Sequence, residues 1–559
     1  MADSKTTSIK NKLERLRRES EERVAQRLAK ELNVPYVDLG KTPVSLDAVK
    51  SIPAEKAKAA KMVGIELKVD KLAVAVTDPR IRGAQDVIKE LEEDKKYKVK
   101  VFMASFSGIK QAWHFYEFVP EEIEGITGKV DIEKEKFEEL IKRWVSLDDF
   151  KKEMESPETS HYKTSDLVQM ILAEALATKA SDIHFEAEEE KVRVRFRVDG
   201  ILHDAVSNFP TKNYESLVSR IKLLAAMKIN VRGVPQDGRF TISLTSKDIE
   251  IRVSIIPSQF GETIVMRILD PDAISVGLPD LGLREDDLKL VYRELEKPNG
   301  LILNTGPTGS GKTTTLYAFL KHLASPEKKI ITIEDPIEYK VQGIEQTQVD
   351  PSADYTFNKG LRAIVRQDPD VVLVGEIRDL ETAEIAMQAA LTGHVVFSTL
   401  HTNSAIGAIP RLTDLGVKTS VIGPALSLVI AQRLVRRLCS DCRQPIELGD
   451  EEKKKIKNFL DNLPSRVDRR AFESFKVYKP VGCDSCHHFG YRGRIGIFEF
   501  LEAGGHFEEV ILKEASEVAL RKLAQEQGMV TMQQDGVLKA LVGVTTFDEV
   551  KEVTGPIEW

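Results

Sequence analysis

At 559 residues, the chain is long enough for three or four domains of ~100–200 residues each. Lys and Arg total 81 against 88 Asp and Glu, a net charge of −7, which disfavours a surface coated in basic residues for nucleic acid. The polar, charged opening MADSKTTSIKNKLERLRRES is no secretory signal, and no run approaches the ~18 apolar residues of a membrane helix. The expectation is a cytoplasmic protein without membrane insertion, whose membrane contact goes through partners.

Residues 1–30 hold Leu13, Leu16, Val24 and Leu28 at loose helical spacing. Residues 31–118 alternate strand-like runs (YVDL, LAVAVTD, YKVKVFMAS) with helical ones (AQDVIKELEED, FSGIKQAWHFY), a small α+β domain. Residues 119–160 are dense in charge and read as a linker with an exposed helix. A second α+β unit spans 161–285. It opens on the helix TSDLVQMILAEALATKA, with Ser165 as candidate N-cap, and continues with alternating strands such as KVRVRFRVDGILHDAV. From about 286 the pattern becomes apolar strand, turn, helix, repeated through IITIEDP and VVLVGEIRD. Continuous apolar runs of this kind suit a parallel sheet buried on both faces.

The most informative stretch is GPTGSGKTTT, residues 306–315, between an apolar run and a helix-spaced one. Gly306 and Gly311 bracket Pro307, Thr308, Gly309 and Ser310; Lys312, Thr313 and Thr314 follow. Glycines let the backbone wrap phosphate oxygens, and the loop amides and helix N-terminus then face the anion. Lys312 would neutralise the β/γ-phosphates of ATP, and Thr313 would offer its hydroxyl to Mg²⁺. A Gly-rich turn with a chance lysine is the alternative. Leu316, Phe319, Leu320 and Leu323 at i, i+3, i+4 and i+7 argue for a buried helix behind the loop.

Hydrolysis also needs a polarised water and a metal held in register. Glu376 in VVLVGEIRD and Glu334 in IITIEDPIEY sit at strand C-termini, where open parallel sheets place ligand groups. Glu376 is the expected base and Glu334 the second acid; alone such acids would more often just end strands and cap loops, but beside the glycine-rich loop the functional reading prevails. In GHVVFSTLHTN, His401 could bond the γ-phosphate, whereas His394 opens the strand and reads as structural.

The four cysteines form two pairs, Cys439/Cys442 and Cys483/Cys486. Two C-x-x-C knuckles can present four thiolates to one Zn²⁺. The rival is a redox C-x-x-C, but no thioredoxin-like unit surrounds it. Four thiolates leave no open position, so the metal would be structural. The charged insert between the pairs reads as an exposed loop or helix, and His487 and His488 as exposed rather than ligands.

Taken together, GPTGSGKTTT, TIEDPIEY, RQDPDVVLVGEIRD and TGHVVFSTLHTN resemble the secretion ATPase superfamily, the GspE/PilB group of type II secretion and type IV pilus assembly. KASDIHFE, RFRVDG, VPQDGRF, RLVRRLCSDC and GYRGRIGIFEF extend the resemblance over about 160–559; ELNVPYVDL and LAVAVTDP carry it more weakly into 20–118. The resemblance implies an α/β fold: a RecA-like P-loop ATPase domain over 286–559, with a zinc subdomain near 434–500 and C-terminal helices. A PAS-like α+β half over 161–285 and an N-terminal adaptor domain over 1–118 precede it. It further implies a homohexameric ring, cytoplasmic and peripheral at the inner membrane, that hydrolyses ATP to drive pilin or pseudopilin assembly through an inner-membrane platform protein. It assigns Arg252 in EIRVS and Arg267 in VMRIL to the phosphates; without it they read as strand-edge arginines. Arg362, Arg366 and Arg378 also match family positions and fit structural ion pairs equally well.

Some adaptor domains of this family bind cyclic di-GMP through Arg-Leu-Gly. Here Arg27–Leu28 precede Ala29, so no such binding is expected. A nucleic-acid motor would want a basic channel. A non-hydrolysing nucleotide-gated scaffold would lack the base or the arginines, and pilus retraction ATPases lack the cysteines and the long N-terminal region. Between pilus extension and type II secretion, the long inter-cysteine insert tips the reading towards pili.

Overall fold

The computed structural model describes residues 17–18, 20–68, 71–93, 96–118, 129–130, 134–244, 247–472 and 474–559. Leu13 and Leu16 of the expected first helix, and 119–128 and 131–133 of the expected linker, lie outside these. The chain divides into two compact units, one ending at Ile268 and the other running from Leu269 to Trp559, with short exchanged stretches at 145–147 and 199–201.

In the first unit, β1 (Met62–Lys68), β2 (Lys71–Val76) and β3 (Lys98–Met103) form a small sheet, antiparallel then parallel. Helices cover it on both faces, burying Ala48, Val74 and Leu91 on one side and Val63, Ala75 and Ile109 on the other. A second sheet is assembled from β4 (Lys129–Val130), β5 (Asp182–Ala187), β6 (Val192–Val198), β7 (Ile201–Phe209), β8 (Gln236–Ser243), β9 (Asp248–Ser258) and β10 (Gly261–Leu269), in the order β4-β8-β9-β10-β5-β6-β7. Strict alternation in β6, where Val192, Val194, Phe196 and Val198 are buried and the arginines between them are not, marks a sheet with one covered face.

Two expectations need correction here. The helix Thr164–Ala177 starts two residues earlier than a Ser165 cap would set it, with Lys163 at its cap and no side-chain cap bond, so Ser165 lies inside the helix. The charged stretch is more than a linker. Its helices Lys134–Ile141 and Leu147–Met154 bury Phe137, Phe150 and Met154 completely, and the Phe150 ring lies 6.0 Å from that of Phe196. A few large apolar residues at helical spacing outweigh the surrounding charge, because each contributes ~1.5–3 kcal/mol when buried.

The second unit is a doubly wound sheet. Its strands are β11 (Gly300–Thr305), β12 (Ile330–Glu334), β13 (Glu345–Gln348), β14 (Val371–Val374), β15 (Val395–Leu400), β16 (Leu426–Leu438) and, beyond the small pair β17 (Gln444–Pro445) and β18 (Tyr478–Lys479), β19 (Tyr491–Glu502). The order is β13-β12-β14-β15-β11-β16-β19, parallel except for β19. β11, β12, β14 and β15 are buried along their whole length, as continuous apolar runs between two helical layers require. One layer includes the helix Lys312–Leu323, which buries Leu316, Phe319, Leu320 and Leu323 as its spacing foretold.

Candidate functional site

The loop 306–311 leaves β11 and enters the helix Lys312–Leu323. Gly306 has φ +153°, and a Cβ there would lie 2.5 Å from the backbone oxygen of Gln432. Gly311 has φ +88° and would set a Cβ 2.8 Å from the Gln432 side chain, so only glycine allows so close an approach. Gln432, on β16, braces the loop from beneath: its Oε1 accepts from Asn304 Nδ2 (2.9 Å) and Thr315 Oγ1 (2.8 Å). Of the three successive threonines, Thr315 is thus turned into the core, while Thr313 and Thr314 stay half-exposed. Thr308 and Gly309 lie open at the loop tip.

Two observations suit this loop to an anion. Ser310 Oγ is buried with no hydrogen-bond partner. Lys312 Nζ donates to the carbonyls of Gly306 (2.7 Å) and Pro307 (3.1 Å). Burial holds the Lys312 ammonium below its usual range, opposed by the negative charges of Glu376 and Glu338. A partly desolvated cation at a helix N-terminus is where phosphate binds.

Parallel register gathers the remaining groups. Ile333 pairs with Val374, Val374 with Ser398, and Thr305 with Leu400, so β12, β14, β15 and β11 end side by side. Glu334 closes β12 and is buried. It accepts from Tyr317 Oη (2.5 Å), Thr332 Oγ1 (2.6 Å) and Gln346 Nε2 (3.2 Å). Burial, then the Glu334 charge, raise the Tyr317 pKa, so the phenol remains a donor. Beyond β14, Glu376 takes an ion pair from Arg378 and lies 3.4 Å from His401 Nε2. Its side chain is 17% exposed, enough to reach water. Thr305 Oγ1, at the end of β11, meets Thr402 Oγ1 at 2.7 Å and accepts from the Thr402 amide, tying the His401 loop to the root of the phosphate loop. His394 Nδ1 lies 2.9 Å from the Ala389 carbonyl at the opposite strand end.

Arg252 and Arg267 belong to the first unit, on β9 and β10. Arg252 Nε lies 3.2 Å from Glu250, and Arg267 Nε donates to Asp182 at 3.1 Å. Arg362 is paired with Glu381 at 2.6 Å and Arg378 with Glu376.

Cys439 follows β16, and Cys483 and Cys486 precede β19. The antiparallel pairing of Leu438 with Tyr491 brings the two knuckles together. All four Sγ atoms lie within 4.8 Å of one another; Cys439–Cys483 is 3.9 Å, and Cys442–Cys486 and Cys483–Cys486 are 3.8 Å. A Zn–S bond of ~2.3 Å implies a tetrahedron edge of ~3.8 Å, so the set fits Zn²⁺ without rearrangement. The amides of Gly482, Cys483 and Gly490 point at Cys442 and Cys486 sulfurs at 3.3 Å, as bound thiolates prefer. His488 turns to Asp484 instead. The insert is less exposed than its charge suggests: Ile456 and Phe459 of the helix Asp450–Asp461 are buried with Val537, Leu541 and Val550 of the C-terminal helices.

Comparison with known proteins matches residues 158–552 to the type II/IV secretion system protein family, and residues 32–117 to the MshEN domain. The chain belongs to the type II/IV secretion ATPase family. The type II secretion system ATPase E of Vibrio cholerae is 47% identical over 389 residues, 69% of this chain and 75% of that protein. The type IV pilus assembly ATPase PilB of Myxococcus xanthus is 37% identical over 542 residues, 96% of this chain and 92% of that one. The structure of the Legionella pneumophila ATPase DotB overlays with a TM-score of 0.50 at 20% identity, covering 70% of this chain and 96% of that one, and supports the fold.

A secretion ATPase of this family hydrolyses ATP with Mg²⁺, and the phosphate loop fits that nucleotide through the orphaned Ser310 hydroxyl, the desolvated Lys312 and the two close-packed glycines. Mg²⁺ would neutralise phosphate charge beside the Thr313 hydroxyl. Zn²⁺ at the four cysteines would cross-link the two ends of the insert. Among the described residues, no helix is long and apolar enough to cross a membrane. The sequence did not reveal Tyr317, Gln432 or the Thr305–Thr402 clasp as parts of this site. Gln432 left one trace, a lone amide within the apolar run LSLVIAQRLV.

Proposed function

We propose that this ATPase is the hexameric motor of type IV pilus extension, working in the cytoplasm on an inner-membrane platform protein that adds pilin subunits. The observation that carries the proposal is the match to PilB over 96% of the chain, N-terminal module included, whereas the match to the secretion ATPase of Vibrio cholerae stops at 69%. Type II secretion remains the second reading, favoured by the higher 47% identity of the motor itself. In both, Glu376 takes the proton of the attacking water, held by Arg378 and His401. Glu334 fixes the neighbouring strand end and would be the acid that holds Mg²⁺ through its waters. Arg252 and Arg267 stabilise charge on the transferring phosphoryl group. Ala29 after Arg27–Leu28, where glycine would complete the cyclic di-GMP motif, supports reading the N-terminal module as one that docks on the platform.

The test is a deletion strain complemented with wild type or Glu376→Gln, scored for surface pili and for exoproteins in the medium. Lost pili with normal export, restored only by wild type, are expected; lost export with intact pili would overturn the pilus assignment. For the ring, specific ATPase activity should rise with protein concentration. A flat profile would rule out a site shared between subunits.

A further inference from the structure

Arg252 and Arg267 are part of a longer row. Directly opposed residues of antiparallel strands share one face of the sheet. β8 sets Arg239 opposite Arg252. The two-residue turn Gln259–Phe260 joins β9 to β10, so counting back from Ser258 and Gly261 sets Arg252 opposite Arg267. Arg267 opposes Asp182 on β5, and Asp182 opposes Arg197 on β6. Five adjacent strands therefore contribute one line of side chains: Arg239, Arg252, Arg267, Asp182, Arg197. Their chain neighbours Phe240, Ile251, Val253, Met266, Ile183 and Phe196 are all buried on the other face, so the line lies on the face away from that core.

Like charges placed directly opposite each other destabilise a sheet. Three guanidiniums in succession, ~4.8 Å apart, therefore call for a compensating anion. Three carboxylates stand near the row: Asp237 lines the same cavity on the strand of Arg239, while Asp182 and Glu250 pair with the other arginines. Asp182 is 7% exposed and serves two arginines, receiving Arg267 Nε at 3.1 Å with Arg197 Nε at 3.6 Å, while Ser181 Oγ fixes its other oxygen at 2.8 Å. Glu250 lies beside Arg252 at 3.2 Å. Arg239 is exposed, with no ion pair among the described residues. Four of the five line a cavity of about 500 Å³. A line of three cations spanning ~10 Å matches an extended polyphosphate, whose oxygens each guanidinium can take in a fork.

We propose that Arg239 is a third phosphate-facing arginine beside Arg252 and Arg267, and that Asp182 is the positioning residue that aims Arg267 at the same phosphate chain. The ligand is the triphosphate of the nucleotide substrate. This rests on the reading of Arg252 and Arg267 as phosphate ligands. It differs from a purely structural row in one physical respect: removing Arg239 relieves repulsion in the protein alone and weakens only the liganded form.

The experiment uses the full chain with Arg239→Ala, Arg239→Lys, Asp182→Asn and Arg252→Ala, measuring ATPase kcat and KM and melting with and without a non-hydrolysable ATP analogue. Arg239→Ala should lower kcat/KM about 10- to 100-fold, the loss of a charge-assisted hydrogen bond, with Lys recovering part of it. It should melt no lower than wild type alone, yet gain less from the analogue. Asp182→Asn should lower kcat with little change in KM. Wild-type kinetics for Arg239→Ala beside a dead Arg252→Ala would overturn this inference alone. Wild-type kinetics for Arg252→Ala would overturn the reading beneath it as well. An Arg239→Ala variant that melts well below wild type and is not rescued by Lys would make the row structural and overturn the inference too.

Discussion

Tyr317→Phe isolates the most consequential contact the sequence concealed. The ring is fully buried in the layer beneath the sheet, and phenylalanine keeps its volume, so no cavity opens. What is lost is the 2.5 Å bond to Glu334. That carboxylate is 5% exposed and retains only Thr332 and Gln346 as donors. A hydrogen bond to a charged group contributes ~1.5–3 kcal/mol, so the second unit should lose about 2 kcal/mol of stability. For a unit of roughly 300 residues, that lowers its melting temperature by about 3 °C. The assay is urea unfolding of wild type, Tyr317→Phe, Glu334→Gln and the double variant. The cycle should show a coupling of about 1 kcal/mol, because Tyr317 donates to a charged oxygen in wild type but to a neutral amide oxygen in Glu334→Gln. In parallel, kcat should fall with KM little altered, since the hydroxyl steadies an acid at the strand end and does not hold nucleotide. A Tyr317→Phe stability within about 0.5 kcal/mol of wild type, or strictly additive effects, would refute the claim that the phenol anchors Glu334.

Three further outcomes are expected. Glu174 is fully buried with neither carboxylate oxygen hydrogen-bonded, and burial, then the Asp149 charge, push its pKa up to about 8 from an ordinary 4.5. The native state keeps a proton that the unfolded chain releases, so stability should fall as pH rises from 4.5 to about 8 and level off above, by up to about 5 kcal/mol at ~1.4 kcal/mol per pH unit. Glu174→Gln should abolish that slope in urea titrations at pH 6 and 9; an unchanged slope would assign it to other groups. Metal analysis should find one zinc per chain, and Cys486→Ser or chelation should lower the melting temperature on the order of 10 °C; zinc-free protein of full stability would remove the metal. Gln432→Ala strips the phosphate loop of its brace and should raise KM for ATP several-fold; an unaltered KM would deny it that role.

How much of the site was legible follows from how far apart in sequence its contacts lie. Local pattern sufficed for the phosphate loop: Gly306, Gly311, Lys312 and the helix periodicity of Leu316 to Leu323 all lie within one turn and one helix. It also sufficed for the ends of β12 and β14, because an apolar run followed by an acid marks a strand's end whatever lies next to it. The two cysteine knuckles were readable one by one, although their meeting depends on Leu438 pairing with Tyr491 across the insert. Contacts fixed by register across long separations left almost no trace. Gln432 reaches Asn304 over 128 residues and Thr402 reaches Thr305 over 97. The charged stretch before residue 160 misled for the converse reason. Phe137, Phe150 and Met154 are a minority by count, yet they decide the packing, since charges on a helix's outer face cost little and apolar residues on its inner face contribute much.

The arginine row carries the same point into function. Nothing in EIRVS, VMRIL or GRF shows that Arg239, Arg252 and Arg267 are neighbours. The alternation of each strand says only that they avoid the core. It takes the pairing of β8 with β9 and the tight turn between β9 and β10 to line up three positive charges, and the β10–β5 pairing to set one buried carboxylate against the last of them. Like charges held in line by a sheet cost stability unless an anion answers them. On the proposed reading, that charge comes from the phosphate chain bound and released in each cycle of hydrolysis. A motor needs such a dependence, because a surface indifferent to the charge of its nucleotide could not tell ATP from ADP.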